Sequence, residues 1–403
     1  MPTHKSHLVK LSTLSAIYLI WGAIASLNDL LIPYLKNEFS LTFSQAMRVQ
    51  LVFYAAYFFL SIPCGQLARH YGYRSGILVG LFGAIGGCLL MVAGSQANSY
   101  GFILMAIFVL ASGITMLQVS ANPYATTLGR ESTAPSRLTL VQSFHSLGTT
   151  VGPYFGAILI FSSYLAASNN PLLAPYAILA VMLILITLVF TRLEARLHNT
   201  SKLSEGFHLV RLLKAHPRLL LGTAGIFFYV GAEISIGSFL VNYLEMHSIA
   251  GMDHGTAGKF VAVYWGFALI GRYVGSVMLR IIAPRRLLLI YSCIATTLVA
   301  TSIGSGGLLA MWSILLVGFF NSIMFPTIFA LTINEVKDEA QSASGVLCLG
   351  IVGGAVISQL QGILADHIGI QMAFILPMLC YVYIAVYALT ALGTKKQLLL
   401  REQ

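Results

Sequence analysis

Charged side chains are what this chain has least of. Only 9% of its 403 residues are charged, and 57% are hydrophobic, whereas about 25% of the residues in a typical soluble domain carry a charge. So few charges do not cover the surface of a water-soluble fold of this length. The composition therefore excludes a soluble domain and predicts a polytopic membrane protein.

Patterns for catalysis and tight metal binding are also missing. The 5 cysteines lie inside apolar stretches without metal-ligand spacing, so we interpret them as small buried hydrophobic residues. The sequence has neither the His-Glu spacing of metalloproteases nor the Gly-x-Ser-x-Gly of a nucleophile turn. We therefore expect neither an enzyme nor a bound cofactor. The one metal ion that stays under consideration is a sodium ion near Asp29.

Apolar stretches of about 20 residues, long enough to cross a bilayer, follow one another along the whole chain. One long polar connection separates six of them from six others. We therefore predict an N-terminal half over residues 1–195, a cytoplasmic linker over 196–216 and a C-terminal half over 217–403. The predicted spans lie near residues 11–35, 43–68, 74–94, 98–128, 136–163, 171–193, 217–245, 255–280, 284–303, 306–333, 339–366 and 370–394.

The net charge of +10 follows from topology and not from nucleic-acid binding. When both termini are assigned to the cytoplasm, most of the 23 Lys and Arg residues fall at the ends or in inner loops. The exceptions are Lys36, Arg48, Lys259 and Arg272. This distribution is the one that the positive-inside rule requires, and it predicts a multi-pass membrane protein with both termini in the cytoplasm.

The two predicted halves contain related segments. "WGAIASLNDLLIPYL" (21–35) aligns with "VGAEISIGSFLVNYL" (230–244), which matches Gly22 with Gly231 and Ser26 with Ser235. Weak repetition between two sets of six spans is typical of the major facilitator arrangement, in which the substrate site lies near the membrane midplane. The predicted fold class is an all-α polytopic membrane protein with the major facilitator fold and 12 transmembrane helices.

Asp29 and Glu233 are the carboxylates that fall well inside predicted spans. A buried charge is costly in hydrocarbon, so one hypothesis is that a proton or metal cation neutralises each carboxylate during a transport cycle. The alternative for Asp29 is a structural hydrogen-bonding group. The alternative for Glu233 is a group held by a helix partner or by Arg272. Arg272 itself fits a static ion pair or a snorkelling side chain better than a substrate ligand.

Uncharged polar residues also fall at membrane depth. Gln118 and Asn122 share one helix face, as do Gln142 and His145, because residues three or four apart are neighbours on a helix. Amides that offer donors and acceptors suit hydroxyl-rich ligands, whereas the alternative is hydrogen bonding between packed helices. The candidate substrate-binding residues are Asn28, Gln118, Asn122, Gln142, His145 and Asn321. Tyr264 and Trp265 are candidates for stacking on a pyranose ring, with helix packing as their alternative.

Several of these stretches resemble one known family. "LNDLLIPYLK", "ANPYATTLG", "SRLTLVQSFHSLGTTVGP", "YVGAEISIGSFLVNYL" and "FNSIMFPTIFALTI" are similar to the sugar–cation symporters of the major facilitator superfamily, which include L-fucose–proton symporters and glucose/galactose transporters. The resemblance implies a rocker-switch carrier that imports a monosaccharide with a cation. It also implies a proton-coupling role for Asp29 and a place in the sugar cavity for Gln142.

Departures from the family pattern narrow the substrate. Gln118 stands where the fucose symporter has a glutamate. The glucose/galactose branch has "LQVAANP" where this chain has "LQVSANP", and it also has a glutamate that matches Glu233. His145 replaces the usual asparagine, and Arg69 replaces the usual aspartate of the loop after the second span. We therefore expect a monomeric symporter of a glucose- or galactose-type hexose with a proton or sodium ion. The alternatives are an L-fucose or amino-sugar symporter and an exporter of drugs or sugars.

Overall fold

The structure is a computed structural model, and it describes residues 4–41, 43–46, 48–161, 172–194, 209–336 and 339–399. Within these ranges the secondary structure is helical and contains no strand, which confirms the predicted all-α class. The long helices are α1 (His4–Glu38), α2 (Arg48–Gln96), α3 (Tyr100–Thr127), α4 (Ala134–Phe161), α5 (Leu173–Glu194), α6 (Pro217–Glu245), α7 (His254–Ile281), α8 (Pro284–Gly304), α9 (Gly307–Asn321), α10 (Met324–Glu335), α11 (Ala340–Leu349), α12 (Gly353–Ile368) and α13 (Ile375–Leu399).

Two of the predicted spans are continuous in α2. The chain passes from one to the other at Gly72, whose φ of 81° lies in the left-handed region that glycine adopts without a steric penalty. Across the described residues, ten helical stretches are long and apolar enough to cross a membrane, and α2 is counted once among them. Residues 196–208, most of the predicted linker, lie outside the described residues.

The last helices of the C-terminal half are interrupted. Helix α9 ends at Asn321 and α10 begins at Met324. The sequence predicts a bend here because Pro326 has no N–H for the carbonyl four residues earlier. The helix is interrupted at Ser322 and Ile323, one turn before Pro326, and the bend itself stays a prediction.

The described chain divides into two compact units. Unit 1 contains Met1–Gly129, Phe144–Leu212 and Lys337–Leu349, and unit 2 contains Arg130–Ser143, Leu213–Val336 and Gly350–Gln403. Each unit therefore includes a short segment from the opposite half of the sequence. The first turns of α4 belong to unit 2, and α11 belongs to unit 1.

The internal repeat is visible as equivalent helix packing in each unit. In unit 1, a Cβ on Gly22 of α1 would collide with the backbone carbonyl of His145 in α4. In unit 2, a Cβ on Gly231 of α6 would collide with the side chain of Ile357 in α12. Both aligned glycines thus permit two helices to approach closely, as small residues do in membrane bundles.

Candidate functional site

Two tyrosines orient the amides of α3 in unit 1. Tyr18 of α1 donates its hydroxyl hydrogen to Oδ1 of Asn122, and Tyr57 of α2 donates to Oε1 of Gln118 at 2.8 Å. Both amides are buried, and their spacing of four residues puts them on one face of α3. Because the tyrosines occupy the amide oxygens, the amide nitrogens are left to donate elsewhere. Nδ2 of Asn122 is buried and has no hydrogen-bond acceptor among the described residues.

The other candidates of unit 1 lie on α1 and α4. His145 is half-buried, and its ring meets the edge of Trp21 with 4.8 Å between ring centroids. Asn28 is buried with 7% of its surface exposed. The backbone of Asp29 is helical, but its side chain lies outside the part of the chain that the structure describes.

An ion pair is buried in unit 2. Nη2 of Arg272 in α7 lies 3.4 Å from Oε1 of Glu233 in α6, and each residue exposes 7% of its surface. The Tyr229 hydroxyl donates to the same carboxylate oxygen at 2.7 Å. The structure thus shows Glu233 held by Arg272, and a role in cation coupling stays a prediction. This geometry gives the carboxylate a cation and a hydroxyl donor, as a buried charge requires.

Arg272 also binds two backbone carbonyls. Its Nε donates to the carbonyl oxygen of Ser322 at 3.3 Å. In an unbroken helix that carbonyl would accept from residue 326, but Pro326 has no N–H. The Nη1 atom donates to the carbonyl oxygen of Gln142 in α4 at 3.4 Å. The guanidinium therefore connects α6, α7, α4 and the interruption between α9 and α10.

In unit 1, too, a proline inside a helix leaves a backbone carbonyl that another helix binds. Pro123 leaves the Val119 carbonyl of α3 without its usual donor, and Ser344 of α11 donates its hydroxyl to that oxygen at 2.6 Å. In each unit, then, a proline inside a helix frees a carbonyl that a side chain of another helix binds. The two donors differ, since one is a neutral hydroxyl and the other is a charged guanidinium.

A second cluster in unit 2 joins amide and aromatic residues. Nδ2 of Asn321 donates to the hydroxyl of Tyr264 at 2.9 Å and to that of Tyr381 at 3.2 Å. The Tyr264 hydroxyl lies 3.4 Å from the Glu233 backbone carbonyl, and Trp265 meets the Tyr264 ring edge-on at 5.3 Å. Oδ1 of Asn321 is buried without a donor among the described residues. This cluster thus adjoins the ion pair through Tyr264.

The structure groups the predicted residues by unit. Unit 1 contains Asn28, Gln118, Asn122 and His145, and unit 2 contains Gln142, Glu233, Tyr264, Trp265 and Asn321. Sequence reasoning missed Tyr18, Tyr57 and Tyr381 as partners of the amides. A tyrosine in an apolar span gives no signal that separates an amide partner from a packing residue, and the chain has 19 tyrosines.

Two features from the sequence analysis concern ions: the sodium ion considered near Asp29, whose side chain lies outside the described residues, and the position of Arg69. Within the described residues, no group of three or more His, Cys, Asp or Glu side chains is arranged to hold a metal ion. Arg69, which replaces the usual aspartate, lies 3.6 Å from Glu339 in unit 1. Both side chains are partly exposed, so the pair contributes little to stability.

Comparison with known proteins gives a family match over most of the chain. A sequence profile of the Major Facilitator Superfamily matches residues 14–358. The glucose/galactose transporter of Brucella abortus (strain 9-941) is 44% identical over 98% of this chain and 96% of that protein. The L-fucose-proton symporter of Escherichia coli (strain K12) is 29% identical over 95% of this chain and 93% of that protein. A crystal structure of the E. coli fucose:proton symporter superimposes with a TM-score of 0.84 and 28% identity, and covers 96% of this chain and 99% of that one.

Proposed function

The chain belongs to the Major Facilitator Superfamily, and on that premise we propose that it imports a hexose of the glucose or galactose type by symport with a proton or a sodium ion. It acts by alternating access as a monomer in a bacterial inner membrane, with both termini in the cytoplasm. The predicted halves, residues 1–195 and 217–403, are the parts that reorient, and residues 196–216 connect them.

The observation that carries the proposal is the 44% identity to the Brucella abortus glucose/galactose transporter over nearly the full length of both chains. Identity to the E. coli L-fucose-proton symporter is 29% over a similar length. The difference favours a glucose- or galactose-type substrate over L-fucose. The name of the second relative supports a proton as the coupling ion, and sodium is the competing ion in the experiment below.

The contacts of the buried amides support a hydroxyl-rich ligand. The Tyr57 hydroxyl fixes the oxygen of Gln118, and the Tyr18 hydroxyl fixes that of Asn122. Amide nitrogens held in this way are oriented donors for sugar hydroxyls. Asn28, Gln142, His145 and Asn321 supply further donors and acceptors, and Trp265 with Tyr264 supplies an aromatic surface for the apolar face of the ring.

We assign the coupling role to Asp29, with Glu233 in a supporting role. A charged carboxylate at membrane depth is expensive to move through a non-polar environment. An empty carrier with Asp29 charged therefore resists reorientation, whereas a carrier with sugar bound and Asp29 neutralised reorients. Glu233 has a cationic partner at 3.4 Å, Arg272, so its neutralisation also changes the surroundings of that guanidinium.

Uptake of radiolabelled hexoses into proteoliposomes tests the proposal. The purified chain is reconstituted and given an inward proton gradient, an inward sodium gradient or neither, with D-glucose, D-galactose, L-fucose and an amino sugar supplied separately. We expect D-glucose or D-galactose to accumulate above the external concentration with one of the two gradients. Liposomes without protein and liposomes treated with an ionophore serve as controls.

Each of the other possible results of the uptake experiment supports one of the alternative functions. Accumulation of L-fucose or the amino sugar alone would overturn the hexose assignment but keep the symport mechanism. If sugar only equilibrates across the membrane, and does so equally with and without either gradient, the symport mechanism is overturned. Expulsion of amphipathic drugs without sugar uptake would identify an exporter.

A further inference from the structure

We propose that Gln361 of α12 is a further specificity-determining residue of unit 2, whose amide nitrogen donates to a hydroxyl oxygen of the bound hexose. The proposal rests on the proposed function, because it adds a contact to that sugar site. Gln361 follows the glycine-rich stretch "GIVGGAVIS" (350–358). Its role is inferred from the way in which α12 packs against α6.

Helices α6 and α12 lie in close contact. A Cβ on Gly231 of α6 would collide with the side chain of Ile357 of α12. One turn further along both helices, the Ser235 hydroxyl donates to Oε1 of Gln361. Because residues four apart share a helix face, Ser235 and Gln361 belong to the same contact surface as Gly231 and Ile357.

The amide of Gln361 keeps one donor group that nothing binds. Ser235 and Gln361 are both fully buried, and Nε2 of Gln361 has no acceptor among the described residues. Because the Ser235 hydroxyl occupies the amide oxygen, the group that the amide offers is its nitrogen, which is a donor only. A buried donor without an acceptor is unfavourable and uncommon in native proteins. An oriented donor of this kind therefore indicates a place where a ligand supplies the acceptor.

Packing alone does not require an amide at this position. The internal repeat aligns Ser26 of α1 with Ser235. In unit 1 a Cβ on Gly152 of α4 would collide with the Ser26 hydroxyl oxygen, so a glycine completes the helix contact there. In unit 2 the residue that meets the aligned serine is Gln361, which brings a side chain with a free donor into the equivalent contact.

An exposed side of α6 lies between Gln361 and Trp265, the residue expected to stack on the sugar. About 3.6 residues make one helical turn, so the side of α6 that carries Ser238 lies between the sides that carry Ser235 and Gly237. Ser238 is exposed, and a Cβ on Gly237 would lie 3.3 Å from Cζ2 of Trp265. The exposed side is thus flanked by an aromatic ring of α7 and by the amide of α12.

This arrangement suits a hexose. An aromatic ring offers a surface for the apolar face of the pyranose, and an amide nitrogen offers a donor for a hydroxyl at its edge. A helix with its side chains is about 10–12 Å across, so one sugar that lies over Ser238 can contact groups on both flanking sides. Gln361 is the last buried residue of α12, so its nitrogen lies at the edge of the closed helix contact.

Equilibrium binding of deoxy sugars tests the proposed contact. The purified full chain in detergent is titrated with D-glucose, D-galactose and each of their monodeoxy analogues, as wild type and as Gln361→Met, which removes the amide and keeps the side-chain length. Gln359→Met is the matched control, because Gln359 lies on the same helix and is exposed. The measurement uses no gradient, so it does not depend on the coupling ion.

The expected result is a loss of affinity that depends on one hydroxyl. Gln361→Met weakens binding of the parent hexose by about tenfold, because one hydrogen bond to the sugar is lost. For one monodeoxy analogue, wild type and Gln361→Met bind equally, since the hydroxyl that Nε2 binds is already missing. Ser235→Ala keeps the amide but releases its oxygen, so it narrows the difference in affinity between the parent and that analogue. Gln359→Met leaves every affinity unchanged.

Other results would overturn the proposal. If Gln361→Met weakened the parent and every analogue by the same factor, the amide would hold a structural water or a helix contact and not the sugar. If neither Gln361→Met nor Ser235→Ala changed any affinity, Gln361 would not meet the ligand. If Gln361→Met did not fold, an unchanged preference of Ser235→Ala for the parent over every analogue would be the contradicting result. Absence of hexose binding by the wild-type chain would overturn the proposed function itself, and this contact with it.

Discussion

The two units hold their buried polar groups by different means. In unit 1 the buried amides are held by neutral groups, with Tyr18 and Tyr57 bonded to the amides of α3, and the ion pair of Arg69 with Glu339 is partly exposed. In unit 2 they include charge, because the buried charged residues of the described chain, Arg137, Glu233 and Arg272, all belong to it. The Asp29 side chain of unit 1 is outside the described part.

This difference predicts which substitutions destabilise each unit: those that remove a charge in unit 2, and those that change packing or a neutral hydrogen bond in unit 1. Loss of one partner of a neutral hydrogen bond leaves a buried dipole unpaired, whereas loss of one partner of an ion pair leaves a buried charge unpaired. The stability of unit 2 should therefore fall strongly when one of its buried charged side chains is replaced by a neutral one. The stability of unit 1 should depend instead on helix packing and on individual hydrogen bonds.

Breaking the ion pair of unit 2 gives the largest expected effect. Glu233→Leu or Arg272→Leu alone should lower the free energy of unfolding by about 3–5 kcal/mol, because each removes one member of a buried ion pair and leaves the opposite charge in place. The double variant should lose less than either single variant, since it buries no charge. Chemical unfolding in detergent micelles, followed by tryptophan fluorescence, measures all three. Additive losses in the double variant would contradict the importance of charge balance.

Overpacking the aligned glycines compares the units directly. Gly22→Ala places a methyl group against the His145 carbonyl, which is part of a helix backbone, whereas Gly231→Ala places it against the Ile357 side chain. A side chain yields more readily than a backbone, so Gly22→Ala should cost about 1–3 kcal/mol and Gly231→Ala less. Melting temperatures of the two variants in the same detergent check the order. Equal losses would mean that the two packing contacts are equally rigid.

Removal of one neutral hydrogen bond should have a smaller effect. Tyr57→Phe removes the donor to Oε1 of Gln118 and keeps the ring, so it should cost about 1 kcal/mol of stability. It should also weaken sugar binding, because the amide of Gln118 loses its fixed orientation. Tyr383→Phe is the matched control, since its exposed hydroxyl binds a carbonyl at 3.1 Å. Isothermal titration with the hexose identified in the uptake assay distinguishes the two variants.

An exposed carboxylate should give the smallest effect. Asp253 precedes α7 and accepts a hydrogen bond from the Thr256 N–H at 2.9 Å; its hydrogen bonds to Thr256 hold its pKa below the usual value. Its contribution to stability is thus present above the pKa of the unfolded chain, about 3.9, and is lost as the pH falls through the lowered folded value. Asp253→Ala should lower the melting temperature slightly at pH 7 and by less at pH 3. A loss as large as that of Glu233→Leu would contradict the distinction between exposed and buried carboxylates.

The sequence was sufficient for the features that depend on one helix at a time. Apolar length predicted the spans, Pro326 predicted a bend close to the point where α9 ends, and the repeat predicted that Gly22 and Gly231 are equivalent. It was not sufficient for contacts that join distant helices. Arg272 meets groups on α4, α6 and the segment after α9, and helical periodicity reports that a residue is buried but not which group it faces. The same limit explains why Tyr18 and Tyr57 were missed.

The most direct test of the account compares uphill accumulation with counterflow in Asp29→Asn. Counterflow of labelled sugar against unlabelled sugar needs binding and reorientation but no gradient, whereas accumulation also needs a coupled cation. We predict that Asp29→Asn keeps counterflow and loses accumulation, while the matched variant Asp253→Asn keeps both. Uphill accumulation by Asp29→Asn at the wild-type level would contradict the assignment of coupling to Asp29.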